Sequence, residues 1–197
     1  MNNKRNRHQD ILRAAKKLFA KLGYHQTSIT KIIKEASIAR GTFYLYFSSK
    51  REVFAEIVDE ALESIISNMK PVSTDPVPDY ESVMRQLRIN LAHALHPLLK
   101  DINLSRIFVS QAEGLDTDAA NKLCGFYKYL TDWLEESLDE GKELGIVRRC
   151  NSRITSISLL GMLKGVIWSY AVGGEKMDYH EVVEEITANI AEGIILN

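Results

Sequence analysis

Within Ala39–Lys50, which reads ARGTFYLYFSSK, an arginine, a threonine, two tyrosines and a lysine stand a few positions apart. Four aromatic residues fill five consecutive places there. Side chains of this kind donate hydrogen bonds, carry positive charge and offer flat apolar faces. That chemistry suits contact with the backbone and base edges of a polyanion. Arg40 can read a guanine or clamp a phosphate, Thr42 can reach a base edge or a phosphate, and Leu45 can meet a thymine methyl. Gly41 adds no bulk, so a backbone can come close to a groove wall. Tyr44, Tyr46, Lys50 and the Thr27 hydroxyl suit phosphate contacts, which set register rather than sequence preference.

The elements that must position these residues can be read from apolar spacing. Ile11, Leu12, Ala15, Leu18, Phe19 and Leu22 recur every three or four residues, which predicts a helix from Asn6 to Leu22 that Gly23 ends. Thr27 or Ser28 can cap a second helix carrying Ile29, Ile32, Ile33 and Ala36. A short third helix is expected over 40–47, with Phe43 and Phe47 on the inward face against Ile11, Leu18, Ile32 and Ile33. Ser49 to Glu52 reads as a capping box opening a longer fourth helix. Two short helices joined by a tight turn and flanked by helices make a helix-turn-helix, whose second helix enters the major groove.

Charge supports this division. The whole chain is nearly neutral at −1, yet residues 1–50 hold eleven Lys/Arg against Asp10 and Glu35, a net of +9. The remainder is correspondingly acidic, at −10. A basic head for a polyanion and an acidic body with a second task is the natural reading.

The stretch GYHQTSITKIIKEASIARGTFYLYFSSKREVF, Gly23 to Phe54, closely resembles the DNA-binding domain of the tetracycline-repressor (TetR) family of bacterial regulators. The resemblance is carried by Gly23-Tyr24, Thr27-Ser28, Gly41-x-x-Tyr44 and Tyr46-Phe47-x-x-Lys50, in order and at the right spacing. It covers about the first 55 residues. It implies DNA contacts at Thr27, Arg40, Gly41, Thr42, Tyr44, Leu45, Tyr46 and Lys50. It also implies an effector pocket among the middle helices, whose filling shifts the fourth helix and spreads the two recognition helices of a dimer. Phe108, Tyr127, Trp133 and Trp168 are large enough to line such a pocket, with Gln111 as a polar handle, and an apolar lining would favour a lipophilic effector.

The body reads as helical throughout. Pro71–Pro78 is a loop, and Pro97 is expected to stop a helix that begins near Asp79. Further helices are expected over 103–113, 118–144, 151–172 and 178–195. Ile154 to Val172 is apolar but interrupted by Thr155, Ser156, Ser158, Lys164 and Ser169, which predicts a buried helix rather than a membrane span. The last two helices are unusually apolar, and Gly161 and Gly165 would let a neighbouring backbone approach, which points to a homodimer built on them. Two-fold symmetry in turn predicts an inverted-repeat operator.

The expected fold class is therefore all-α, with a helix-turn-helix head over 1–50 and a helical ligand-binding and dimerisation bundle over 51–197. A homodimeric, cytoplasmic repressor released by a small molecule is the leading reading. An effector-independent architectural DNA-binding protein is the alternative, and a helical enzyme with an incidental basic head is the remote one. No GxSxG, P-loop or GxGxxG occurs, and His93 and His96 have no Cys or His nearby to complete a metal set, so neither a catalytic site, a metal nor a cofactor is expected. Cys124 and Cys150 form no CxxC pair, in keeping with a reducing compartment. The basic, polar N-terminus lacks the apolar run of a signal peptide.

Overall fold

The computed structural model describes residues 2–71, 78–109 and 117–196, and the described residues form nine α-helices and no named strand. In order they are α1 (Asn2–Gln26), α2 (Ile29–Glu35), α3 (Arg40–Tyr44), α4 (Lys50–Ile66), α5 (Tyr80–Lys100), α6 (Ile102–Val109), α7 (Thr117–Glu143), α8 (Ser152–Trp168) and α9 (Tyr179–Ile194).

Local signals in the sequence account for most boundaries. Gly23 interrupts α1 at φ 76°, a conformation that glycine adopts without the clash a Cβ would cause. Ser28 caps α2, its hydroxyl accepting the Lys31 N–H at 3.3 Å, and Ser49 caps α4 by accepting from Glu52 N–H at 3.2 Å. Glu52 answers one residue further out than the usual box. Its carboxylate accepts from both the N–H and the hydroxyl of Ser48. Asp79, Asn151 and Asp178 cap α5, α8 and α9 in the same manner.

Three expected elements differ. The third helix ends at Tyr44, and Leu45 and Tyr46 form a turn, because the chain must bend to seat Phe47 in the core before Ser49 can start α4. Pro97 lies inside α5 instead of stopping it. A proline in the last turn forfeits a single i→i−4 bond, and the burial of Leu98 just beyond it offsets that loss. The helix over 154–172, expected to be buried, is largely uncovered within the single chain. Ser152–Gly173 is long and apolar enough to cross a membrane, yet only 17% of its apolar window is buried within the chain. α8 continues as a π turn, Ser169–Gly173, which Gly174 closes in the left-handed conformation.

The head core is aromatic. Phe43 and Phe47 are fully buried with Ile11, Ala15 and Ile32, while Leu18 and Ile33 pack at its edge. Phe19, Tyr24 and Phe54 meet with ring centroids 5.1–5.6 Å apart, joining α1 to α4. α1 also packs against α6, so the head sits directly on the body. In the body, α5 packs on α9 and α7 on α8. An isolated antiparallel bridge between Val147 and Ile195 ties the chain after α9 to the α7–α8 connection, through Arg148 N–H to Ile194 O and Leu196 N–H to Ile146 O.

Candidate nucleic-acid interface and effector cavity

The recognition helix α3 rests on its phenylalanines and presents its other side outward. Phe43 is inaccessible, whereas Tyr44 is 47% and Leu45 80% exposed. A leucine held this far into solvent at a helix end gains nothing from the fold. Gly41 and Arg40 are exposed beside it, Thr42 is half-buried, and the Arg40 guanidinium lies 5.8 Å from the Tyr44 ring centre. Tyr46 is half-buried on the flank, its ring edge-on to His8 at 5.8 Å.

Two of the expected contact residues have other tasks. Thr27 is buried, and its hydroxyl donates to Gly23 O at 2.8 Å, so the side chain closes the α1–α2 turn. The neighbouring Ser28 is the exposed one. The Lys50 ammonium donates to Tyr24 O at 2.7 Å and lies 4.2 Å from the Tyr24 ring centre. It thereby pins the start of α4 to the end of α1, a positioning task beyond the expected phosphate contact.

The reading of single residues did not reach His8. Its ring stacks on Phe47 at 5.1 Å and its Nε2 lies 2.9 Å from the Glu56 carboxylate, so it braces the end of the recognition segment from α1. A histidine one turn before the first buried isoleucine carries no sequence signal for this. Elsewhere the positive head is partly neutralised, by Lys17 on Glu35 and by Lys16 on Asp101 at the α5–α6 joint.

In the body, α5, α7, α8 and α9 enclose a cavity of about 180 Å3. Its wall is overwhelmingly apolar: Leu87, Leu91, Leu130, Leu134, Leu159 and Leu163 are typical. Asn90, Ser137, Trp133 and Glu140 are its polar members, and among the described residues Met69 is the contribution from the segment leaving α4. A smaller cavity of about 50 Å3 shares Ala94, Leu130, Leu160 and Leu163 with it and is bordered by Phe108, Tyr127 and Lys164. The Lys164 ammonium lies 5.5 Å from the Tyr127 ring centre, and burial raises the Tyr127 phenol above its ordinary value.

Of the expected pocket residues, Trp133 lines the larger cavity and Phe108 and Tyr127 the smaller. Trp168 lines neither of these two cavities. It is half exposed on the outer side of α8, because the apolar stripe of that helix faces away from the chain's own core. Gln111 lies outside the described residues. Asn90 was missed, although a polar residue at a stripe position of α5, between Leu87 and Ala94, was a legible signal. His93 and His96 are engaged separately: His93 Nδ1 lies 2.9 Å from Asn68 O, and His96 meets the Tyr179 ring.

An aromatic-cored helix-turn-helix with an exposed recognition helix, set on a helical body with an apolar cavity, defines a DNA-binding transcriptional regulator. Residues 11–57 match the family model of bacterial regulatory proteins of the tetR family. Those residues form a DNA-binding head of that family's type. Over 98% of both chains it is 23% identical to the fatty acid metabolism regulator protein of Bacillus subtilis. The structure of the fatty acid degradation regulator FadR from Bacillus halodurans is similar at 28% identity, covering 95% of each chain with a TM-score of 0.71. SmeT, the repressor of the multidrug efflux pump SmeDEF of Stenotrophomonas maltophilia, shares the fold at 23% identity. The match covers 96% of this chain and 91% of SmeT, with a TM-score of 0.73.

Proposed function

We propose that this regulator is a homodimeric repressor that binds an inverted-repeat operator and releases it when an acyl-chain effector fills the body cavity. On this reading residues 1–50 read DNA, residues 51–197 sense and dimerise, and the protein works in the cytoplasm. The observation that carries the reading is α4 itself. Its first turn is tied to the head by Lys50 and Phe54, and the segment leaving its last turn supplies Met69 to the cavity wall. A ligand that binds better to one placement of that helix shifts the head with it.

The acyl class rests on the lining and on the relatives. Among the described residues no Lys, Arg or His borders the larger cavity, so that lining suits a hydrocarbon chain better than a buried anion. Lys164 and Tyr127 border the smaller lobe. The B. subtilis and B. halodurans relatives are named for fatty acid metabolism and degradation.

The second copy is supported by α8. Ile154, Ile157, Gly161, Gly165, Trp168 and Val172 follow one another at three- and four-residue steps, and all are exposed in the single chain. A Cβ built on either glycine meets nothing within 4 Å. A stripe of this size is covered by a symmetry-related copy in a regulator whose two heads read two half-sites.

The test is to select an operator from random duplexes and titrate the complex with dodecanoyl-CoA. Two protomers per duplex and release at saturating effector are the expected result. Binding that ignores the effector, or shows no preference for the selected duplex, refutes the reading.

A further inference from the structure

We propose that Asn90 is the residue through which cavity occupancy is transmitted to the DNA-binding head, by a two-point clamp on the main chain of Lys70. This rests on the effector reading above and adds to it the device that couples the two sites.

The Asn90 side-chain oxygen accepts the Lys70 N–H at 3.1 Å, and its amide nitrogen donates to Lys70 O at 2.7 Å. Gln86 Nε2 donates to the same oxygen at 3.0 Å, which fixes the orientation of the Asn90 amide. One turn further along α5, His93 Nδ1 meets Asn68 O at 2.9 Å. The short strap 68–70 that leaves α4 is therefore held on α5 on both sides of Met69. Both Met69 and Asn90 line the larger cavity.

The remaining lining residues lie on α5, α7, α8, α9 and their connections. An occupant that presses on the α5 wall moves Asn90. Because the clamp engages an N–H and a C=O of one residue, the strap must follow rather than slide. An apolar contact at Met69 alone has no such directionality. α4 then carries the displacement along its 17 residues, about 25 Å at helical rise, to the Lys50–Tyr24 tie in the head. Asn90 is buried, and among the described residues its side chain bonds to the Lys70 main chain and to Gln86. A leucine of similar shape would fill the same space, so the bonds themselves are what this position adds.

The experiment measures coupling as a ratio, the dodecanoyl-CoA dissociation constant with saturating selected operator divided by that without. Changes in intrinsic effector affinity cancel in it. For the unaltered protein we expect a ratio of about ten or more, and for Asn90→Leu a ratio within about twofold of one. A ratio in Asn90→Leu equal to that of the unaltered protein overturns the clamp.

Should dodecanoyl-CoA bind the unaltered protein not at all, the effector reading falls, and the clamp is then tested without a ligand. Ser137→Phe, with Leu134→Trp as a second filler if the first melts too low, places side-chain volume in the cavity. Operator affinity should drop at least about fivefold in the unaltered background and less than about twofold beside Asn90→Leu. Equal changes in both backgrounds, including none, overturn the proposal.

Discussion

Tyr44, Leu45 and Thr27 show how differently neighbouring residues of one motif are used. Tyr44 and Leu45 are solvent-facing, so altering them leaves the head core untouched. Tyr44→Ala should weaken binding to all duplexes by a similar factor with an unchanged melting temperature. Leu45→Ala should instead change which sequences are preferred in a duplex library. Thr27 is the opposite case. Thr27→Val removes the bond to Gly23 O from a buried site and should cost about 1 kcal/mol of stability, read by denaturant unfolding, with no selective loss of DNA affinity.

Among the elements, α7 and α8 carry the clearest consequences. Gly141 sits within α7, where helix propensity alone would favour alanine by about 1 kcal/mol. A Cβ there would stand 2.5 Å from Cγ2 of Val147, a buried, β-branched residue held by the bridge to Ile195. Gly141→Ala should therefore lower the melting temperature instead of raising it. On α8, Ile157 lies in the middle of the exposed stripe and contributes little within one chain. Ile157→Glu should leave a helical circular-dichroism spectrum while shifting the sedimentation coefficient from dimer to monomer, with loss of operator binding.

At the scale of the whole molecule, surface carboxylates tie separate elements together. Hydrogen bonds from Lys17 lower Glu35, those from Ser48 lower Glu52, those from Lys128 and Arg153 lower Asp132, and those from Lys142 and Ser152 lower Asp139. Each folded pKa lies below its ordinary value of 4.5 for Glu or 3.8 for Asp. Their stabilisation is thus present above those values and disappears as pH falls through the lower, folded ones. Lys142 and Arg153 are raised by the same partners and stay charged throughout. Because solvent screens these exposed groups, thermal melts should be nearly level from pH 7 to 5 and decline only modestly below about 4. A melting temperature that holds to pH 3 would show that these ties are negligible.

The sequence by itself determined the helix count, most caps and the recognition segment, because these depend on residues within a turn or two of each other. Ser28, Ser49, Asn151 and Asp178 cap where their side chains can reach the next N–H groups, and Phe43 is buried on the inward face of α3, with Phe47 brought in beside it by the turn after Tyr44. Tertiary structure alone decided which polar groups were already engaged. Thr27 and Lys50 are spent on main-chain carbonyls of the α1 end, Asn90 on a residue twenty positions away, and Pro97 is tolerated because Leu98 finds a buried place. Periodicity marks an apolar face but cannot say what covers it. The stripe of α8 and the inner wall of α7 look alike in sequence, and only packing placed one around a cavity and left the other bare.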